Sequence, residues 1–448
     1  MTIPESPRTD LRGETALITG GSKGLGFAIA EAVARAGAQV ALVARSRDVL
    51  EAAAERLEAE GHVVQAWCGD VTDDTFMQDA VRATERTLGP VDILVNNAGA
   101  IGPFGPMADV APEDWWRCVE VNLRGAAIGM QLVLASMCAR GRGRIINIVS
   151  GGGINSFTYF SAYGAAKTAL VRLTECAAAE VRPYGVCVFA MEPGTVATDM
   201  SRWSMESVEG RRWIPWFARM FSEGLDAPPT RVAQRALALA SGAADALTGR
   251  YIPLSADLDE LMSAASRIDA EHLYSLRIAR LSAAPVSPAL AKLRAEGEAA
   301  SASVLQLRRA LPCSPAQAFA LWMNPESAAA WFTPAAPFEW LSPVRADARV
   351  GGHLSFHLRM ADTDYTIVGV YCTIEENIQL VFDWSWETGA DRLGSHRGSV
   401  VTVRFVPHQR QTDVIVCHEG LPTVDARDMF IRGWRRCLNA MVDLTSRP

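Results

Sequence analysis

The sequence predicts two folds in series: an α/β domain with a doubly wound parallel sheet, then a smaller α+β domain of antiparallel strands. Three observations carry this. From 15 to 191, short β-branched runs alternate with helical stretches, the grammar of repeated βα units. From 304 onward, short alternating strands run in succession and end in one long helix over 425–444. Between these regions, 282–303 is mostly Ala, Ser, Pro and charge, the composition of a linker. A chain of 448 residues also exceeds what one ordinary core serves. The boundaries that follow are a polar tail over 1–12, a first domain over 13–281, a linker over 282–302 and a second domain over 303–448.

The first strand is read at 15–19. Gly20-Gly21-Ser22-Lys23-Gly24-Leu25-Gly26 follows and runs into a helix over 27–36. A strand, a glycine turn and a helix N-terminus make a diphosphate site, because the backbone can close in and free N–H groups face the phosphates. The spacing is G-x-x-x-G-x-G, not the G-x-G-x-x-G of the standard dinucleotide fingerprint. Further strands are expected at 39–44, 62–67, 93–96, 145–149 and 186–191. Helices are expected at 48–60, 73–88, 112–140 and 161–182. The stretch 200–225 is dense in Trp and Phe, and helical spacing of apolar residues over 258–276 closes the domain. In the second domain, strands are expected at 304–311, 354–360, 365–374, 379–386, 399–407 and 412–419, with a helix over 314–323.

Composition narrows the classes. Hydrophobic residues make up 49% and charged residues 21%, as in a soluble globular protein. A net charge of -7 without a Lys/Arg cluster argues against a nucleic-acid partner. Nine cysteines without a C-x-x-C pair read as reduced thiols of a cytoplasmic protein, not as disulfides or a zinc site. The histidines show no metal-ligand spacing, so no metal is expected. The first twelve residues lack an apolar core, so no signal peptide is expected. No uncharged run reaches the length of a membrane span.

Chemistry concentrates at 150–167. Ser150 stands where a buried strand gives way to a Gly-rich loop. Tyr163 and Lys167 are four apart in an Ala-rich stretch, so a helix puts them on one face. A cation near a phenol favours the phenolate and lowers its pKa from about 10 toward the range of a working acid or base.

The chain over 13–281 resembles the short-chain dehydrogenase/reductase superfamily. The resemblance rests on T-G-G-S-K-G-L-G at 19–26, Asp70-Val71, N-N-A-G at 96–99 and Asn122 in V-N-L-R-G. Ser150, Y-G-A-A-K at 163–167 and P-G-T-V-A-T at 193–198 complete it. It implies a Rossmann-like fold, a homo-oligomer (dimer or tetramer) formed through this domain, and a set of roles. Tyr163 is the general acid or base, and Lys167 holds the nicotinamide ribose and lowers the Tyr163 pKa. Ser150 bonds the carbonyl oxygen, and Asn122 holds a water that relays protons to Lys167. Gly20, Ser22, Lys23, Gly24, Leu25 and Gly26 cradle the cofactor. Asn96, Ala98 and Gly99 line its channel, Asp70 and Val71 meet the adenine, and Pro193, Gly194 and Thr198 shape the carboxamide site. Other readings stand beside three of these: Asn96 as a tie at the sheet edge, Asp70 as a helix N-cap, and Asn122 as an amide bonding the backbone of a kinked helix.

At the end of the second strand, an acid binds the ribose 2′-OH of NAD, whereas an Arg accommodates the phosphate of NADP. Here the strand ends Ala44-Arg45-Ser46-Arg47, and Lys23 adds a cation, so NADP(H) is favoured over NAD(H). The 200–225 stretch corresponds to the family's substrate lid. Its aromatics suit an apolar small-molecule substrate, or they pack the lid onto the core or a neighbouring subunit. The family's V-D-G-G-like ending is replaced by Leu254-Ser255-Ala256-Asp257.

The second half resembles the Hsp90-ATPase-activator-homologue-like branch of the START/Bet v 1-like (SRPBCC) superfamily. The resemblance rests on V-L-Q-L-R-R-A-L-P-C-S-P-A-Q-A-F-A-L-W, N-P-E with Trp331-Phe332, Gly351-Gly352, F-D-W-S-W and Gly433-Trp434. It implies a helix-grip fold, a curved sheet around a long helix, with Tyr365, Trp384, Trp386, Met429 and Trp434 as cavity walls or core. Together the halves imply an NADP(H)-dependent carbonyl reductase or alcohol dehydrogenase with a START-like domain behind it. Two alternatives are a lipophile- or partner-binding protein with a vestigial reductase half, and a bifunctional reductase/cyclase-like enzyme.

Overall fold

A computed structural model describes residues 10–278, 304–332, 338–360, 363–388, 398–408 and 411–446. The chain forms two compact units, Met1–Ala279 and Arg280–Pro448. The linker expected over 282–302 lies outside the described residues.

The first unit is a seven-stranded parallel sheet. In chain order it runs β1 (Thr15–Thr19), α1 (Gly24–Arg35), β2 (Gln39–Ala44), α2 (Arg47–Ala59), β3 (Val64–Cys68), α3 (Asp74–Thr87) and β4 (Val91–Asn96). Then come α4 (Pro112–Val119), a π-turn at Glu120–Arg124, α5 (Gly125–Arg140), β5 (Gly143–Ile148), α6 (Ser161–Val181) and β6 (Val186–Glu192). The lid consists of α7 (Asp199–Glu206), α8 (Val208–Trp213) and α9 (Trp216–Ser222). The closing elements are α10 (Pro229–Ala240), β7 (Tyr251–Pro253), α11 (Leu258–Ser263) and α12 (Ala265–Ala270).

The strand order is β3-β2-β1-β4-β5-β6-β7. The order reverses between β1 and β4, the place where open parallel sheets hold ligands beyond the carboxyl ends of their strands. Two cores sandwich the sheet. One holds Ile18, Val33, Leu42, Phe189 and Leu239; the other holds Leu17, Val43, Leu94, Ile145 and Val188. Sequence neighbours divide between the cores because strand side chains alternate in direction. The domain also begins earlier than the polar tail suggests. Leu11 is buried and its N–H bonds Ala36 O at 2.8 Å.

The Pro112–Arg140 region is apolar and long enough to cross a membrane, yet half of that stretch is buried inside the unit. It packs against β4 and α3 as a core helix.

The second unit is an antiparallel sheet in the order β8-β14-β13-β12-β11-β10-β9. Its strands are β8 (Val304–Leu311), β9 (Phe338–Ala346), β10 (His353–Met360), β11 (Thr363–Glu375), β12 (Gln379–Thr388), β13 (Ser399–His408) and β14 (Gln411–Glu419). Helices α13 (Pro315–Met323) and α14 (Pro325–Trp331) follow β8, and α15 (Val424–Thr445) ends the unit and packs on β8 and α14. Ser314 and Asn324 cap α13 and α14, each with Pro at the first helical position. The strand β9 was not expected from the sequence.

This unit has an aromatic interior. Trp434 stacks on Trp322 at 5.9 Å and meets Trp384 at 5.4 Å, both ring-centroid distances. Trp384 and Trp434 are 2% and 3% exposed. They are core residues, which corrects the cavity-wall reading for this pair. Met429 is half-buried. The side chains of Tyr365 and Trp386 lie outside the described residues.

Candidate active site

The site forms at the carboxyl ends of β1, β4, β5 and β6. Gly20 sits there at φ +64°, a conformation glycine adopts freely. Gly26 is required by close packing: a Cβ would fall 2.2 Å from Gly20 O and 2.4 Å from Asn97 Nδ2. Asn97 secures the loop by donating to Thr19 O and Gly20 O at 3.0 and 3.1 Å. Thr19 Oγ1 accepts from the N–H groups of Asn97 and Ala98 at 3.0 and 3.1 Å. The N-terminus of α1 has no side-chain cap and no acid in its first turn. Its free N–H groups and dipole therefore face the glycine loop unopposed, as a bound diphosphate requires.

Other expected cofactor residues divide. Ser22 and Leu25 are half-buried in the loop and at the start of α1. Thr198 caps α7 and lies beside Gly24, where a Cβ would be 3.5 Å from its Cγ2. Gly194 takes φ +69° in the turn after Pro193. Arg45 is exposed just past the end of β2, and Arg47 pairs with Glu51 at 3.4 Å. Lys23 is not a free second cation: Asp199 holds it at 2.7 Å.

Asn96 turns away from the channel. It is 3% exposed and donates to Asn147 Oδ1 at 2.8 Å, tying β4 to β5. That corrects the channel-lining role and favours the sheet tie. Asp70 is not a helix cap either, because Asp73 caps α3 through Phe76 N–H. The Asp70 carboxylate binds Thr72 and Arg117 instead. Burial pushes this carboxyl up, but those partners outweigh it and hold it below its usual value. Val71 buries its side chain against Gly125, so only its backbone can meet an adenine.

The residues expected to handle the proton converge. Ser150 follows β5, and its Oγ accepts Gly152 N–H at 3.1 Å, which leaves its own hydrogen free to donate. Tyr163 and Lys167 lie one turn apart on α6. Lys167, 4% exposed, donates from Nζ to Ile148 O at 2.7 Å and sits 5.6 Å from the Tyr163 ring centroid. Gly153 lets the loop after β5 pack on the α6 backbone, since a Cβ there would meet the Lys167 carbonyl at 3.0 Å.

Asn122 lies in the π-turn. The wider turn lets its Nδ2 reach back to Ala100 O at 2.6 Å and Cys118 O at 2.9 Å. Its Oδ1 is buried without a partner among the described residues, and a Cβ on Gly99 would stand 3.0 Å from it. An unsatisfied buried acceptor beside a glycine is suited to accept from a water.

Burial sets the ionisation. It pushes the Lys167 ammonium down to about 8. It pushes the Tyr163 phenol up to about 12, opposed by a hydrogen bond with Ser150 and reinforced by the Glu192 charge. The expectation that Lys167 draws the phenol down is therefore corrected: desolvation is the larger effect here. The Cys118 thiol, 3.4 Å from Asn122 Nδ2, is pushed up by burial to about 11 and stays neutral.

An aromatic wall leads outward from Tyr163. Phe160 lies 5.0 Å from its ring, Phe104 stacks on Phe160 at 5.4 Å, and Trp203 stacks on Phe104 at 5.5 Å. Ile214, Trp213 and Phe217 of the lid pack on the same cluster, whereas Trp203 and Trp216 remain exposed. The packing expectation for the lid thus holds for Ile214, Trp213 and Phe217. Sequence reading passed over Asn97, Phe104, Cys118, Arg117, Phe160 and Glu192. Asn97 was within reach, as the second Asn of N-N-A-G.

A glycine-loop cradle and a Ser-Tyr-Lys-Asn cluster on a parallel sheet define an oxidoreductase. The chain belongs to the short-chain dehydrogenase/reductase family: residues 14–208 match the short chain dehydrogenase family, and 312–446 match the family described as Activator of Hsp90 ATPase homolog 1-like protein. It is 38% identical over 200 residues to the short chain dehydrogenase MYCFIDRAFT_6125 of Pseudocercospora fijiensis (strain CIRAD86). That match covers 44% of this chain and 64% of the relative. It is 35% identical to gluconate 5-dehydrogenase of Gluconobacter oxydans (strain 621H), covering 46% of this chain and 79% of that one. Its fold is similar to that of a gluconate 5-dehydrogenase from Burkholderia cenocepacia J2315 solved with NADP and tartrate. The TM-score is 0.51 at 30% identity, covering 55% of this chain and 95% of that one.

Proposed function

We propose that this chain interconverts a carbonyl and an alcohol on an apolar small molecule and prefers NADP(H) to NAD(H). The observation that carries the reading is the convergence of Asn122, Ser150, Tyr163 and Lys167 beside the glycine loop. The bound nicotinamide supplies or accepts the hydride. Tyr163 gives a proton to the carbonyl oxygen in reduction and takes it back in oxidation. The Ser150 O–H donates to the same oxygen, where charge develops. Lys167 and the free Oδ1 of Asn122 return the proton from solvent through water. Arg45, with no acid at the end of β2, supports the choice of NADP(H). The aromatic wall and the exposed Trp203 and Trp216 support an apolar substrate. The chain acts in the cytoplasm as a homo-oligomer.

The test compares NADPH and NADH oxidation with an apolar cyclic ketone, and cofactor reduction with gluconate. The reading expects NADPH and the apolar ketone to be used best. Preferential use of gluconate would overturn the substrate class.

For the second unit we propose a ligand-holding role for the same apolar compounds. The buried indole N–H of Trp322 has no partner among the described residues and supports a ligand that carries an acceptor. A chain ending near Leu281 is then expected to keep kcat and show a raised KM for apolar substrates. An unchanged KM would remove the role.

A further inference from the structure

Glu192 is the last residue of β6 and immediately precedes Pro193-Gly194. Side chains along β6 alternate in direction. Ala190 packs with Val149, Leu170 and Tyr251 on the α6 face, while Met191 packs in the core on the opposite face. Glu192 therefore returns to the α6 face, where Tyr163 and Lys167 stand. Its carboxylate is fixed there by backbone donors on two sides. Gly194 N–H donates to Oε1 at 2.7 Å, and Leu254 N–H, which donates to the Glu192 backbone O at 3.0 Å, also reaches Oε2 at 3.4 Å. The carboxylate thus pins the turn after β6, which the Glu192 backbone ties to the end of β7. The turn needs the pin, because Gly194 adopts its left-handed conformation without a side chain to hold it.

The charge has consequences beyond the turn. The titratable groups facing this end of the site are Tyr163 and Lys167 from α6, Cys118 from α4 and Tyr251 from β7. The Cys118 thiol stays neutral at neutral pH, and Lys167 is engaged with Ile148 O. Glu192 disfavours ionisation of both Tyr163 and Tyr251, as a nearby anion must.

We propose that Glu192 is a positioning residue: it fixes the Pro193-Gly194 turn and presents its carboxylate to the nicotinamide end of the site. There it favours the oxidised, positively charged ring over the reduced, neutral one. The inference rests on the cofactor reading above, since the turn is assigned to the carboxamide by resemblance. A uniform structural role would weaken both cofactor forms alike. A charge discriminates between them, because only the oxidised ring carries a positive charge for it to attract.

The test is calorimetric titration of the full chain with NADP+ and NADPH, for wild type, Glu192→Gln and Glu192→Asp. Glu192→Gln keeps one acceptor and removes the charge. It should raise the Kd for NADP+ by about fivefold, the weight of one unit charge at water-like screening, and leave the Kd for NADPH nearly unchanged. Glu192→Asp keeps the charge and should return the NADP+/NADPH ratio toward wild type. Equal weakening of both forms, or an unchanged ratio in Glu192→Gln, overturns the proposal while leaving the oxidoreductase reading intact. Wild-type protein that binds neither cofactor form overturns both.

Discussion

The two units each bury a polar cluster among apolar side chains, and they treat it in opposite ways. In the second unit, Trp434 Nε1 donates to His418 Nδ1 at 3.3 Å, His418 Nε2 meets Ser399 Oγ at 3.0 Å, and Ser399 donates to Trp384 O at 2.9 Å. Each group hands its hydrogen to the next, which is how a neutral buried histidine is satisfied. In the first unit, Asn122 Oδ1 has no partner among the described residues, Lys167 is buried toward neutrality and Tyr163 toward a tighter hold on its proton. A closed chain of donors and acceptors belongs to packing. A cluster that keeps an acceptor open and ionisations displaced belongs to chemistry. The indole N–H groups of Trp322 and Trp384 are where the second unit departs from closure.

The contrast is broken most forcibly by removing Trp434. Trp434→Ala deletes a buried ring and the donor to His418, a change that costs about 3–5 kcal/mol. Differential scanning calorimetry should show the second unit melting far earlier, with NADPH binding by the first unit retained. Loss of NADPH binding would mean that the units do not fold independently.

Lys167→Met sharpens the other side. A folded pKa near 8 against 10.5 for a free lysine means the unfolded chain binds more protons between those values. The lysine therefore burdens the fold below about pH 8, and the burden lifts as pH rises toward 10.5. After the lost bond to Ile148 O is counted, Lys167→Met should stabilise the first unit by ~1–2 kcal/mol at pH 7. The gain should shrink from pH 8 upward, while turnover is lost. Urea melts across that range would check the sign, and a gain that grows with pH would refute it.

Arg45→Asp is the smallest of the three. It should weaken NADPH about tenfold, roughly 1.4 kcal/mol, and change NADH little. Equal effects on both cofactors in a titration would remove Arg45 from phosphate recognition.

What the sequence made legible follows the range of each interaction. The glycine loop and the Tyr163–Lys167 pair were readable because their geometry is set within a few residues of chain. Lys23 and Asp199 are separated by 176 positions, and Asn97 and Gly20 by 77, so no local pattern announces either bond. Asp70 shows the same limit. Its sequence context fits a helix cap, but Arg117 on α4 claims the carboxylate and Asp73 takes the cap. The ionisation of Tyr163 was misjudged for a related reason. Spacing shows which cation is near, not how much water the fold removes. In the second unit, Trp384 and Trp434 read as core more readily than as cavity walls, and their mutual packing bears out the core reading.

The central claim is that Tyr163 delivers the proton at a nicotinamide-dependent carbonyl site. The most direct measurement is NADPH oxidation with an apolar cyclic ketone by wild type and Tyr163→Phe, with NADPH affinity measured in parallel. The account predicts turnover by wild type, a loss of at least about 10²–10⁴-fold in Tyr163→Phe, and nearly equal NADPH affinity in the two proteins. Wild-type-like turnover in Tyr163→Phe would contradict it.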